Sequence, residues 1–359
     1  MDLNQTNGHI ADYVIDTIEN QAIGVCSTRL ELGSSPGHVQ LEARVAKFMG
    51  VESAITFGMG FATNSTVLPM LMDKRTLVLS DERNHCSIIH GCKLSSAKVR
   101  VFKHNDHRDL ETKLIDAIQT RHRWSKIIII VEGVYSMEGT ICPIRELIAL
   151  KKRYKAYLYL DEAHSIGALG DRGRGVCDFA GVSTGDVDLL MGTFTKSFGA
   201  AGGYIAGSKP LIDHIRRSSF AQYYATSMAP PVVAQVTAAF EYIDSKNGRD
   251  LIRNLKLNTE FFRNELIKRD FLILGHRKSP VVPMMLYHIP KVPFVNRELH
   301  ERGVAVSVVG FPATEITETR ARFCLSAGHT RDQLERAIEI IDEVGGKAAI
   351  KYERKLLSW

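Results

Sequence analysis

Seven short apolar runs separated by helix-length stretches occupy residues 40–208 and leave few folds open to the chain. The runs fall at residues 54–57, 77–79, 99–102, 126–131, 157–160, 187–191 and 203–206. Between several of them the apolar spacing turns helical, for instance at 109–120 and 144–154. A strand that crosses over a helix before its neighbour pairs in parallel, and a parallel sheet needs both faces covered. The expected architecture is therefore α/β, a mostly parallel sheet covered by helices, with ligands beyond the carboxyl ends of the strands.

After Pro230-Pro231 the pattern changes. A long helical stretch spans 232–268 with an interruption near Asn247-Gly248, followed by apolar runs at 271–274, 281–286, 305–309 and 321–325 and a helix near 295–302. Thr330 has the chemistry of a helix N-cap, with Asp332 in the first turn. The expected division is an N-terminal arm at 1–39, a large α/β domain at 40–228 and a small C-terminal α+β domain at 229–359.

Composition narrows the function classes. The 359 residues carry 46 Lys+Arg against 40 Asp+Glu, and part of the +6 balance lies in a tail with Lys347, Lys351, Arg354 and Lys355. That charge is too dilute for a nucleic-acid footprint, so no nucleic-acid partner is expected. Apolar runs such as 127–131 are far short of the roughly 20 residues of a spanning helix. The first twenty residues lack the order of a secretory signal. Cys26, Cys86, Cys92, Cys142, Cys177 and Cys324 form no Cys-x-x-Cys pair, which predicts free thiols in a reducing compartment and no zinc site. By itself the chain is expected to be soluble and cytoplasmic.

The run Tyr157-Leu158-Tyr159-Leu160-Asp161-Glu162-Ala163-His164 is an apolar strand ending in two acids and a histidine. Asp-Glu-Ala-His also occurs in helicases, but that chemistry needs an upstream Gly-x-x-x-x-Gly-Lys-Ser/Thr segment, which the sequence lacks. A strand-end carboxylate held by backbone amides is the ordinary alternative. A second segment, Gly192-Thr193-Phe194-Thr195-Lys196-Ser197-Phe198-Gly199, delivers a lysine from a strand into small residues. An unpaired buried ammonium costs several kcal/mol, so Lys196 must be exposed, ion-paired or consumed in a covalent bond.

Together the two segments suggest pyridoxal 5'-phosphate, which needs a lysine for its Schiff base and an acid facing its ring nitrogen. Its phosphate needs a cradle, and Gly58-Met59-Gly60-Phe61-Ala62-Thr63-Asn64 opens a helix after a strand, where free amides and the helix dipole attract anions. A ligand-free helix start reads the same way in sequence. Thr193 and Thr195 offer hydroxyls to the phosphate, although threonines in strands commonly serve packing. His85 suits a ring-stacking role or a helix cap, and His164 lies within reach of the cofactor's phenolic oxygen.

These motifs, with Glu132-Gly133-Val134-Tyr135-Ser136-Met137-Glu138-Gly139, resemble the α-oxoamine synthase family of fold-type I pyridoxal-phosphate transferases. Gly58 to Ser65, Val309-Gly310-Phe311-Pro312-Ala313-Thr314 and Arg320-Ala321-Arg322-Phe323-Cys324-Leu325-Ser326 are most similar to its eukaryotic serine palmitoyltransferase branch, and the likeness runs over residues 25–352. The resemblance implies that Lys196 forms the Schiff base, Asp161 faces the pyridine nitrogen, His164 contacts the phenolic oxygen and His85 stacks on the ring. It places Gly60, Phe61, Thr193 and Thr195 at the phosphate, Ser136 near the ring, and Arg322 on the amino-acid carboxylate, which a guanidinium fork binds bidentately. Soluble bacterial members have arginine where this chain has Gly310, so carboxylate handling rests on Arg322.

The implied reaction is a decarboxylating condensation of L-serine with a long-chain acyl-CoA. The alternatives are glycine with a short acyl-CoA, or a non-catalytic partner subunit. The resemblance further implies a homodimer, or a heterodimer with a lysine-lacking homologue at the cytosolic face of the endoplasmic reticulum membrane. Residues Tyr224-Ala225-Thr226-Ser227 would then reach a partner's phosphate. Against that branch, in which a longer anchor-bearing segment usually precedes the match, the arm at 1–39 is expected to be a shortened one.

Overall fold

A computed structural model describes residues 8–120 and 123–352; Arg354 and Lys355 of the basic tail lie outside the described residues. The described residues form two compact units, one of residues 8–134 and 142–249, the other of 135–141 and 250–352.

The larger unit holds seven strands: β1 Ser53–Phe57, β2 Thr76–Asp81, β3 Lys98–Phe102, β4 Lys126–Glu132, β5 Tyr157–Asp161, β6 Leu189–Thr193 and β7 Gly203–Gly207. Their order is β1-β7-β6-β5-β4-β2-β3. The block from β6 to β3 is parallel, whereas β7 runs antiparallel to both β6 and β1. The mostly parallel sheet expected from the alternation is formed. The exception has a simple cause, because the 194–202 link is too short to hold a crossover helix.

Alternate strand residues fill one side of the sheet. Ile55, Val78, Ile128, Ile130, Tyr159, Met191 and Ile205 pack with Val67 and Leu68 of the helix Gly60–Leu71 and with Ile212 and Ile215 of the helix Lys209–Ser218. Elsewhere in the unit Phe48, Phe194, Phe198 and Phe240 form a ring cluster with centroids as close as 4.3 Å.

In the smaller unit, β8 Val281–Met285, β9 Ser307–Val309 and β10 Arg320–Cys324 form an antiparallel sheet of order β8-β10-β9. Its last helix, Arg331–Lys347, starts at Thr330 as expected, and Gln333 returns the cap: each side chain bonds the other's backbone N–H, at 3.2 and 3.0 Å.

Three local expectations shift. The helix break falls at Ser245, between Pro230–Asp244 and Lys246–Lys268, because Ser245 Oγ accepts from Gly248 N at 3.2 Å and caps the second helix. Residues 271–274 form no strand; Phe271 and Ile273 make only isolated bridges to Lys351 and Met284. The run at 187–191 starts pairing two residues later, after a short 3-10 turn at Thr184–Asp186, and extends to Thr193. Among the described residues no helix is long and apolar enough to cross a membrane.

Candidate active site

β5 and β6 run side by side, with Asp161 opposite Met191, so both strands deliver their following residues to the same sheet edge. Asp161 is 3% exposed and both of its oxygens are held. Oδ1 accepts from Ala163 N at 2.8 Å, and Oδ2 accepts from Asn64 Nδ2 at 2.8 Å. The backbone-amide partner foreseen for a strand-end carboxylate is therefore present, but on one oxygen only. Asn64 lies on the helix Gly60–Leu71 and accepts from the Tyr159 hydroxyl at 2.6 Å. Tyr159 precedes Asp161 by two positions and shares its face of the strand. Burial raises the Tyr159 phenol well above its ordinary pKa, which keeps it a donor.

Lys196 follows the end of β6 by three residues and its side chain is exposed. On either side the backbone is anchored: Phe194 and Phe198 are fully buried, and Ser197 Oγ donates to Ile166 O at 2.8 Å. The ammonium is thus carried on an exposed residue of an anchored turn. His85 links the two strand ends electrostatically. Desolvation pulls its pKa below the ordinary value, the Asp161 carboxylate opposes that fall, and the Lys196 ammonium adds to it. The imidazole thus senses both charges.

His85 itself is the N-cap of the helix Cys86–Leu94, its Nδ1 accepting from Ser87 N at 3.2 Å and lying 2.8 Å from Ser87 Oγ. Its backbone N–H donates to the buried carboxylate of Glu132, the last residue of β4. Capping was the alternative to ring stacking for this histidine, and the cap is made through Nδ1. The Phe61 ring stands edge-on to it, with centroids 6.3 Å apart.

The helix Gly60–Leu71 makes its first N–H bond inward at Thr63, to Met59 O at 3.0 Å. The amides of Gly60, Phe61 and Ala62 therefore lie in the first turn, where the helix supplies no acceptor and its dipole favours an anion. A Cβ at Gly60 would stand 2.6 Å from Thr193 Oγ1. Only glycine lets this helix start lie against the end of β6. The Thr193 hydroxyl donates to Gly202 O at 3.0 Å and meets Thr195 Oγ1 at 2.8 Å; Thr195 is exposed. Gly60, Thr193 and Thr195 are thus brought together, with Phe61 next in the turn.

His164 is half-buried in the turn after β5. That turn is fastened by Glu162, wholly buried, whose carboxyl accepts from the Ser165 hydroxyl and from Val176 N at 3.0 Å. Burial pushes its pKa up to about 7. Tyr224, Ala225 and Thr226 are exposed, but Ser227 is buried with its Oγ 2.9 Å from His38 Nε2.

The smaller unit carries the other two candidates. Ser136 and Arg322 are half-buried, and Arg322 Nη1 makes a long bond of 3.5 Å to Ser136 O. Among the described residues Arg322 Nε, itself buried, has no hydrogen-bond partner. On the same face of β10, Arg320 is 2% exposed and donates to Met137 O at 3.1 Å and to Glu318 Oε2 at 2.9 Å.

Sequence reasoning did not single out Asn64, Ser87, Tyr159, Glu132, Glu162 or Arg320. One signal was available for Asn64. It stands three, four and seven positions before Val67, Leu68 and Leu71, a polar residue on the buried stripe of its helix.

A family model described as aminotransferase class I and II matches residues 2–341. Serine palmitoyltransferase 3 of Homo sapiens is 50% identical over 348 residues, covering 94% of this chain and 63% of that protein. Serine palmitoyltransferase 2 of Caenorhabditis elegans is 47% identical over 360 residues, covering 98% and 64%. The chain spans less than two thirds of the length of these two relatives. Among solved structures, serine palmitoyltransferase of Sphingomonas wittichii matches with a TM-score of 0.91 at 27% identity, over 96% of this chain and 85% of that one. A serine palmitoyltransferase variant from S. paucimobilis with bound PLP–myriocin aldimine gives 0.91 at 26% identity over the same shares. With its mostly parallel sheet, the chain belongs to the aminotransferase class I and II family.

Proposed function

We propose that the chain is the catalytic part of a pyridoxal 5'-phosphate-dependent serine C-palmitoyltransferase, joining L-serine to palmitoyl-CoA or another long-chain acyl-CoA. The bond formed links the serine α-carbon to the acyl carbon. The thioester bond and the bond to the serine carboxyl break, releasing CoA and carbon dioxide and leaving 3-ketodihydrosphingosine. Relatives named serine palmitoyltransferase support the reaction class. One observation carries the reading: the buried Asp161 carboxylate ends β5 and the exposed Lys196 follows the end of the adjacent parallel strand β6, at the same end of the sheet.

The residues fit the cofactor. Gly60 has no room for a side chain, the first-turn amides suit a phosphate, and Thr195 sets an exposed hydroxyl beside them. Bound there, the cofactor supplies an electron sink for negative charge at the substrate α-carbon. Lys196 Nζ would hold the cofactor by its aldehyde, and its amine would move the proton at the serine α-carbon. Asp161, fixed by Asn64 and Ala163, would hold the proton at the ring nitrogen. Arg322, with an unpartnered Nε, offers the fork that a carboxylate accepts bidentately, and Ser136 supports it.

The active form proposed is a dimer, either of this chain or with a lysine-lacking homologue, at the cytosolic face of the endoplasmic reticulum membrane. The test uses the purified chain with pyridoxal phosphate, with the partner subunit added in parallel. Borohydride should fix the cofactor on Lys196 and leave Lys196→Ala unlabelled, and serine with palmitoyl-CoA should yield the ketone. A chain that takes no label and shows no serine-dependent absorbance change, with or without the partner, refutes the proposal.

A further inference from the structure

A buried run of hydrogen bonds connects Asp161 with His85. Asn64 stands at its centre, fully buried, as is Ser87 at 1% exposure. The Tyr159 hydroxyl donates to Asn64 Oδ1 at 2.6 Å, which fixes the amide so that Nδ2 faces Asp161 Oδ2 at 2.8 Å and Ser87 Oγ at 2.9 Å. Having accepted from Asn64, Ser87 directs its own proton onward, and its Oγ lies 2.8 Å from His85 Nδ1. The Ser87 amide N–H points at the same nitrogen, at 3.2 Å. A hydroxyl can turn round to accept; an amide N–H cannot. With two donors converging on Nδ1, that nitrogen keeps its lone pair and the imidazole proton belongs on Nε2.

We propose that Asn64 and Ser87 are positioning residues that hold His85 as the neutral, Nε2-protonated imidazole while orienting the Asp161 carboxylate. Every group around the ring bears on this state. Asp161 favours the imidazolium and Lys196 disfavours it. Glu132 accepts the His85 backbone N–H, Cys86 Sγ lies 3.7 Å from Nε2, and Phe61 presents its ring edge. The depressed pKa of His85 agrees with a ring kept uncharged. The consequence for catalysis rests on the proposed function: His85 adds no second positive charge beside Lys196, so Asp161 remains available to the cofactor's ring nitrogen.

The experiment is nitrogen-15 NMR of the histidine side chains in the full chain, with and without pyridoxal phosphate. His85 of the unaltered protein should read as the Nε2–H tautomer from about pH 6 to about pH 8. Ser87→Ala removes the hydroxyl donor to Nδ1 and leaves the amide donor, so it should raise the apparent pKa of His85 by about half a unit to one unit while the Nε2–H tautomer is kept. Ser87→Thr, which keeps the hydroxyl, should restore the original signals. A merely structural role would lower the melting temperature of Ser87→Ala and leave the His85 pKa unchanged, which overturns the inference. Borohydride labelling of Lys196 in the same samples separates the two proposals. Normal labelling with an unmoved His85 pKa sinks the positioning role, whereas absent labelling with a shifted pKa sinks the cofactor reading and supports the positioning role.

Discussion

Replacing Glu162 by glutamine should remove a pH dependence of stability that the carboxyl imposes on the larger unit. Glu162 has no exposed surface, and a Cβ at Gly133 or Gly175 would come within 2.6 and 2.5 Å of its Oε2, so the surrounding backbone closes tightly on it. Burial raises its pKa from 4.5 to about 7; hydrogen bonds from Ser165, Val176 and Cys177 oppose the rise, and the Asp161 carboxylate adds to it. With the folded pKa above the unfolded one, the native state binds the proton more tightly. The resulting stabilisation is complete below pH 4.5 and lost as pH climbs through about 7. Between about pH 5.5 and about pH 8 the loss amounts to about 2 kcal/mol. Glutamine keeps an oxygen for the Val176 amide and turns its NH2 toward Ser165 Oγ, without titrating. Urea unfolding of both proteins at the two pH values supplies the check, because His38, His85 and His276 titrate in both and cancel. The stability difference, unaltered protein minus Glu162→Gln, should fall by about 2 kcal/mol from the lower pH to the higher. A difference that stays level would show that Glu162 is ionised throughout and that burial is not governing it.

Gly60→Ala places a methyl 2.6 Å from Thr193 Oγ1 and must displace the hydroxyl that bonds Gly202 O. The expected cost is about 1 to 3 kcal/mol, read as about a tenfold or greater weakening of pyridoxal phosphate retention in equilibrium dialysis. Unchanged retention would remove Gly60 from the cradle. Arg320→Met leaves Met137 O without its donor, while the partly exposed Glu318 regains water, and should destabilise the smaller unit by about 1 to 3 kcal/mol in urea. A loss below about 1 kcal/mol would mean that Arg320 does not pin the Tyr135–Ile141 segment.

The alternation of strand and helix between β1 and β7 is written locally, in apolar runs and turn residues, and each of those strands forms. So is the Thr330 cap, which needs only Gln333 three residues on. The positions of Asp161 and Lys196 were legible because Asp161 ends an apolar strand and Lys196 follows one by three residues, where a charge has no packing value. The helix break was misplaced because the sequence shows a glycine but not that Ser245, three residues earlier, makes the cap. What could not be read is everything that depends on which distant residues meet. Asn64 reaches Asp161 across 97 positions, Ser87 meets Asn64 across 23, and Glu162 owes its raised proton affinity to burial. Periodicity and residue chemistry act over a few positions, so the chain by itself determines its strands, its helices and the two charged strand ends. Hydrogen-bond partners, exposure and proton affinity are set by the packed surroundings, and those exist only once the sheet has closed beneath its helices.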